Sequence, residues 1–289
     1  MIVNRVGVVG AGLMGRGVAQ ALAQAGIEVV LVDVATAILD EARRSIGYAL
    51  KSAALFDPQL RAGHGAVLAR IETTTDYGAL GQVDFVIENT TEEWPVKEEV
   101  YRQLARSCRP GCILAANTSA ISIARIAAAT PDPSLVIGMH FMNPVPQKPV
   151  VEVIRSPATS DATAAVAQAL VERLGKRAIV VGDSPGFVTN RILMLTINEA
   201  IAVVEEGVAS ARDLDDIFVG CFSHAMGPLA TADLIGLDTI LRSLNVLRES
   251  FDDPKFDARP LLRQMVESGR LGRKSGSGFF DYDIRNSGR

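Results

Sequence analysis

Histidine and cysteine are both scarce in this chain of 289 residues, with three of each. Cys108, Cys112 and Cys221 are odd in number and have neither metal-ligand nor redox spacing. Reduced, mostly packed thiols and no metal site are therefore expected. Positive charge is not in excess: the net charge is −4, which argues against nucleic acid or an anionic membrane as a primary partner. No apolar run approaches the length of a membrane span. The N-terminus enters a glycine-interrupted strand within a few residues, without the basic segment and unbroken apolar core of a signal peptide. A cytoplasmic protein is expected. What remains, 48% hydrophobic and 21% charged residues, is the composition of a soluble globular protein, long enough for about two domains.

The richest stretch is the first. Arg5-Val6-Gly7-Val8-Val9 reads as a near-continuous apolar strand that runs into Gly10-Ala11-Gly12-Leu13-Met14-Gly15, which opens a helical stretch from Leu13 to about Ala25. A second apolar strand, Val29 to Val32, ends on Asp33. Gly10 would make the tight turn, Gly12 would remove a side chain that would block a pyrophosphate, and Gly15 would let the helix pack closely on the strand. The phosphates would then lie against unpaired amides at the positive end of the helix dipole. A carboxylate at Asp33 accepts ribose hydroxyls and repels a 2′-phosphate, and Val34-Ala35 supplies no arginine to neutralise one. NAD is expected rather than NADP.

Further along, Thr36 to about Leu55 reads as a helix with a threonine cap, broken at Asp57-Pro58 and followed by a shorter helical piece up to Ile71. Apolar strands follow at Val83–Glu88, Cys112–Ala116 and Leu135–Met139, with a helix from Val96 to Cys108 between the first two. Alternating strands and helices of this kind imply a Rossmann-type, doubly wound parallel sheet. Pro144-Val145-Pro146-Gln147-Lys148-Pro149 forces an irregular turn before a strand at Val150–Ile154, then a helix from Ala162 to Leu174 and a strand at Ala178–Val181. The best boundary is Gly182-Asp183-Ser184-Pro185-Gly186, dividing residues 1–184 from an all-helical domain at 185–289. There, Phe187–Glu206, Ala211 to about Phe218, Ile235–Ser250 and Pro260–Ser268 read as helices.

Ligands of open α/β sheets bind at the carboxyl ends of the strands, which makes Glu88, Ser119 and His140 candidates. His64 sits between glycines and reads as a loop residue; His224 reads as packing or capping. An imidazole at His140 could take a proton from an alcohol while hydrogen leaves the same carbon for nicotinamide. Glu152 interrupts Val150-Val151-Glu152-Val153-Ile154, and a buried carboxylate there would orient and charge-match the ring. The bland alternative is an edge strand with one solvated face. Asn190, early in the first helix of the second domain, could reach a substrate oxygen.

These segments, with Asn117-Thr118-Ser119, His140-Phe141-Met142-Asn143-Pro144-Val145-Pro146, Pro185-Gly186-Phe187-Val188-Thr189-Asn190-Arg191, Met226-Gly227-Pro228-Leu229 and Gly272-Arg273-Lys274-Ser275-Gly276, together resemble the L-3-hydroxyacyl-CoA dehydrogenases of the 3-hydroxybutyryl-CoA dehydrogenase type. The resemblance runs over essentially the whole chain. It implies His140 as catalytic base, Glu152 as its partner, and Ser119 and Asn190 as hydrogen-bonding groups around the substrate oxygens. It also implies an NAD site lined by Gly10, Ala11, Gly12, Leu13, Met14, Gly15, Asp33, Glu92, Lys97, Ser119, Asn143 and Lys274, and a homodimer formed through the helical domain.

Two departures from the family pattern stand out. The family's serine and lysine that meet coenzyme A fall on Ala49 and Phe56, and Glu93 stands where asparagine is common. Charge-assisted contacts to a CoA handle are thus missing where the family places them. An NAD-dependent 3-hydroxyacyl-thioester dehydrogenase is expected, acting on acyl-CoA such as 3-hydroxybutyryl-CoA. One alternative is the same chemistry on a group carried by an acyl carrier protein, for example a glyceryl thioester in polyketide extender-unit biosynthesis. Another is a non-catalytic NAD-binding protein.

Overall fold

The computed structural model describes residues 2–55 and 63–282. The chain divides into two compact units, Met1–Asp183 and Ser184–Arg289. Phe56 and the break expected at Asp57-Pro58 lie outside the described residues.

The first unit is built on an eight-stranded sheet ordered β3-β2-β1-β4-β5-β6-β7-β8. In chain order these are β1 (Arg5–Val9), β2 (Glu28–Val32), β3 (Ile71–Thr74), β4 (Phe85–Glu88), β5 (Ile113–Ala116), β6 (Val136–His140), β7 (Val150–Arg155) and β8 (Arg177–Gly182). Strands buried on both faces need apolar residues throughout, and β4 and β5 are buried at every position. The strand order reverses between β1 and β4, which opens a crevice at the carboxyl ends of those strands. Helices α1 (Leu13–Gln24) and α2 (Thr36–Ala53) connect β1 to β2 and lead on from β2. Val18, Leu22, Leu39, Ile46, Val8, Leu31 and Ile87 share one core.

Several local expectations need correction. The sheet is not wholly parallel, because β7 runs antiparallel to β6. A parallel neighbour requires a long crossover, usually helical, whereas residues 141–149 contain no helix, so the chain folds back. Nor is β7 an edge strand: β8 pairs with it in parallel and takes the exposed position. The short strand β3 was not anticipated. α2 is capped by the backbone of Ala35, without a side-chain bond, and Thr36 is its first helical residue. His64 begins the helix His64–Ala69 instead of lying in a loop.

Among the described residues the second unit contains five α-helices, Thr189–Glu205, Ala211–Phe222, Pro228–Ile235, Leu237–Phe251 and Pro260–Glu267. Ile197, Ile201, Leu237, Leu244, Phe256 and Leu262 lie in its core. The first helix starts at Thr189 and not at Phe187, because Gly186 and Phe187 both hold positive φ, at 72° and 50°. Pro228–Ile235 was not expected. It opens with proline at its start, and its free amides at Leu229 and Ala230 donate to the Asp215 carboxylate at 2.9 and 2.8 Å. Burial pushes the Asp215 carboxyl up from its ordinary value despite those two bonds. His224 packs edge-on against Phe218, in keeping with its reading as a packing or capping residue.

Candidate active site

Three glycines shape the start of α1 differently. Gly10 has φ 92°, and a Cβ there would lie 2.8 Å from the Asn89 backbone. A Cβ on Gly15 would lie 1.7 Å from the Gly10 carbonyl oxygen, so this glycine seats the helix against the turn itself. Beside Gly12 nothing lies within 4 Å. That open space, next to a helix N-terminus without a side-chain cap bond, suits an anionic pyrophosphate. Leu13 is exposed and Met14 is partly buried against the core.

Asp33 closes the other side. Its Oδ2 accepts the Ala11 amide at 2.6 Å and its Oδ1 accepts the Val34 amide at 2.7 Å. Gly10, Gly12, Asp33, Ile38, Tyr77 and Val96 help to line a cavity of about 370 Å³. Burial, followed by the negative charges of Glu88, Asp33 and Glu99, pushes the Tyr77 phenol up to about 12. A cavity with apolar walls and an acidic rim accepts an adenosine and disfavours an added 2′-phosphate.

At the ends of β4, β5 and β6 the polar side chains form one network. Lys97 is fully buried, and its Nζ donates to Glu88 at 3.0 and 2.9 Å. The Glu92 Oε1 accepts from the Thr118 hydroxyl and from the amides of Ser119, Ala120 and Ile121, the last three at 3.0, 2.8 and 3.3 Å. Asn117 bridges its neighbours: its amide nitrogen donates to the Asn89 Oδ1 at 2.7 Å, and its own Oδ1 accepts the Phe141 amide at 3.1 Å.

His140 lies at the centre of this edge, 4% exposed. Its register partner across the antiparallel pair is Glu152, itself 5% exposed. Nδ1 of the imidazole lies 2.9 Å from the Glu152 Oε2, and Nε2 lies 3.1 Å from the Ser119 hydroxyl. With Nδ1 donating to the carboxylate, Nε2 is left as the acceptor, which is the arrangement of a general base. The solvated-edge alternative for Glu152 is thereby excluded. Asn143, which precedes a cis bond to Pro144, is exposed.

Family models agree with this architecture. The model described as 3-hydroxyacyl-CoA dehydrogenase, NAD binding domain, matches residues 5–184, and that of the C-terminal domain matches residues 186–282. The chain belongs to the 3-hydroxyacyl-CoA dehydrogenase family. It is 45% identical over 283 residues to a probable 3-hydroxybutyryl-CoA dehydrogenase of Deinococcus radiodurans, covering 96% of this chain and 100% of that protein. A 3-hydroxybutyryl-CoA dehydrogenase of Clostridioides difficile is 39% identical over 279 residues, covering 96% and 99%. The crystal structure of (S)-3-hydroxybutyryl-CoA dehydrogenase from Ralstonia eutropha superposes with a TM-score of 0.94 at 43% identity, covering 98% of this chain and 100% of that one. The cofactor of this dehydrogenase is NAD.

Within this dehydrogenase, Asn190 occupies the first turn of the helix Thr189–Glu205, and Lys274 lies in the second unit, ion-paired with Asp238 at 2.5 Å. Burial opposes ionisation of Asp238, but the Lys274 contact outweighs it and holds the carboxyl below its ordinary range. Three further positions were not singled out from the sequence. Asp183 accepts from Ser122, Ile123 and Ala124 at 2.8, 3.1 and 2.7 Å, capping the helix Ile123–Ala128. Lys176 donates to the Val145, Pro146 and Lys148 carbonyls at 2.7, 3.3 and 2.7 Å, pinning the turn that joins β6 to β7. Asp233 accepts from the Phe279 and Phe280 amides and the Tyr282 hydroxyl, each at 3.0 Å. All three hold residues distant in the chain, a relation that local pattern does not carry. Of the thiols, Cys112 is buried and Cys108 partly buried, as expected of mostly packed thiols, while Cys221 is exposed.

Proposed function

We propose that this enzyme interconverts an L-3-hydroxyacyl-CoA, with 3-hydroxybutyryl-CoA as the type substrate, and its 3-oxoacyl form. The observation that carries the reading is the imidazole held between Glu152 at 2.9 Å and Ser119 at 3.1 Å, at the same end of the sheet as the glycine turn. In oxidation, His140 Nε2 accepts the proton of the 3-hydroxyl, and the Glu152 carboxylate stabilises the imidazolium that forms. Ser119 holds the oxygen as it changes from alcohol to carbonyl. When bound, NAD supplies the acceptor for the hydrogen and electron pair that leave C3. Gly10 to Gly15 and Asp33 would hold its pyrophosphate and ribose, with Glu92 and Asn143 as further contacts, while Lys97, fully buried against Glu88, would back the site without touching the cofactor. In the reverse direction the imidazolium returns the proton. Consumption of NADH on addition of acetoacetyl-CoA, lost in His140→Gln while NAD still binds, is the expected result. An active His140→Gln enzyme overturns the assignment.

A second reading concerns the handle. Ala49 is exposed on α2 and offers no hydrogen-bonding side chain where the family places a serine. This supports a carrier-protein thioester, whose phosphopantetheine arm lacks the adenosine part. Comparing kcat/KM for one hydroxyacyl group on CoA, on a carrier protein and on a pantetheine mimic separates the two readings. A homodimer through the helical unit is supported by the exposed apolar side chains Ile192, Ile217, Phe222 and Leu234. No helix among the described residues is long and apolar enough to cross a membrane, and we place the enzyme in the cytoplasm.

A further inference from the structure

Ser119 is carried on a loop, and a loop holds a hydroxyl in register with an imidazole only if its own backbone is fixed. Three successive amides, Ser119, Ala120 and Ile121, point inward and converge with the Thr118 hydroxyl on a single oxygen, the Oε1 of Glu92. Thr118 in turn accepts the Ile121 amide at 3.1 Å, which closes the loop on itself. The second Glu92 oxygen lies 3.8 Å from the Lys97 ammonium. That ammonium cannot follow solvent, because it is fully buried and clamped by both oxygens of Glu88. An anchored chain therefore runs from Glu88 through Lys97 and Glu92 to the Ser119 loop, and from the Ser119 hydroxyl to His140 at 3.1 Å.

We propose that Glu92 is a positioning residue, which sets Ser119 against His140 through this loop, with Lys97 as its buried backing. The proposal rests on the reading above, in which Ser119 holds the reacting oxygen. It assigns Glu92 an effect on turnover separate from any contact with NAD. A carboxylate suits four converging donors because charge-assisted bonds are shorter and stronger than neutral ones. A neutral amide in its place presents the same oxygen with less charge, and adds an NH₂ facing the Lys97 ammonium. The loop then loses its anchor while the rest of the fold keeps its contacts.

The test is a double-mutant cycle on the full-length enzyme, with Glu92→Gln, Ser119→Ala and the combined variant. Turnover is measured at saturating substrates, NAD affinity by quenching of the single tryptophan, and folding by thermal melting. Glu92→Gln is expected to lower kcat about tenfold to a hundredfold, the scale of a misplaced catalytic contact, a larger loss than any change in the Kd for NAD. The combined variant is expected to be no slower than Ser119→Ala alone. Thr118→Val, which removes one donor and leaves the charge, should show a smaller loss that is likewise absorbed by Ser119→Ala; it serves as the readout if Glu92→Gln does not fold. Multiplying losses in the combined variant, or weakened NAD binding with kcat intact, would overturn the proposal. A Ser119→Ala enzyme with full turnover would instead remove Ser119 from its assigned role, and this inference would fall with it.

Discussion

His140 and Glu152 are direct partners across the antiparallel pair of β6 and β7, and their side chains meet at 2.9 Å. The carboxylate holds one ring nitrogen and the Ser119 hydroxyl lies 3.1 Å from the other, which is the nitrogen proposed above to accept the proton. Glu152→Gln retains an acceptor oxygen but no charge. It is expected to lower kcat about a hundredfold to ten-thousandfold, the span of general base catalysis and its orienting partner, while NAD affinity stays near that of the parent. Steady-state kinetics beside a binding isotherm decide this, and unchanged turnover would dismiss the pair.

The two glycines flanking Leu13 and Met14 should fail in different ways. In Gly15→Ala the new carbon would meet the Gly10 carbonyl oxygen at 1.7 Å, a backbone atom that cannot swing aside. A loss of about 1–3 kcal/mol or more in unfolding free energy is expected from such overpacking. Gly12→Ala meets nothing within 4 Å and should melt like the parent. Its NAD affinity should fall by about tenfold or more, equivalent to about 1.4 kcal/mol. Melting curves and NAD titrations on both variants check the contrast, and the reverse pattern would show that Gly12 does not face the pyrophosphate.

Asp33 combines two tasks, since one oxygen holds the Ala11 amide at 2.6 Å and the charge itself opposes a 2′-phosphate. Asp33→Ser should reduce kcat/KM with NAD and raise the NADP-to-NAD ratio of kcat/KM by about tenfold or more, as repulsion is removed. An unchanged ratio would mean that discrimination is made elsewhere.

Alkaline stability carries a signature of the cofactor cavity. The Tyr77 phenol rises from 10.0 to about 12 through burial and then the charges of Glu88, Asp33 and Glu99. Below pH 10 neither folded nor unfolded chain ionises this group appreciably. Between 10.0 and about 12 the unfolded chain gives up the proton first, so folding stability falls as pH rises through that window. Tyr77→Phe should decline less steeply there in melting temperature against pH. An equally steep decline would place the loss on other groups.

In the second unit, Asp233 is 1% exposed and gathers the Phe279 and Phe280 amides and the Tyr282 hydroxyl. Asp233→Asn leaves a single acceptor oxygen for these donors. A cost of about 1–3 kcal/mol is expected from the buried donors left unpaired, with faster proteolytic cleavage between Gly272 and Tyr282. Parent-like resistance would show that the segment is held by other contacts.

What could be read from the chain alone follows the range of the interactions. The turn at Gly10, the helix after it and the acid at Asp33 are local backbone requirements, and they stand where expected. His140 and Glu152 were each visible as polar residues in apolar strands, and their pairing as a need of a buried charge. The direction of β7 was missed because it depends on the missing helix between Phe141 and Pro149. The exposed rank of β8 depends on pairing with a strand laid down later. Ile71–Thr74 was missed because its mixture of polar residues resembles a turn. Lys97 was named only through the family resemblance, as an NAD-site residue; its full burial against Glu88 was not legible, since only the folded position of that carboxylate makes it tolerable. Thr36 looked like a cap, yet the backbone bend falls one residue earlier.

Because the imidazole and its carboxylate are rungs of the same ladder, their separation is inherited from main-chain spacing and not from the fit of neighbouring helices. On the function proposed above, the proton acceptor is thereby insulated from drift in the surfaces that meet the rest of the substrate.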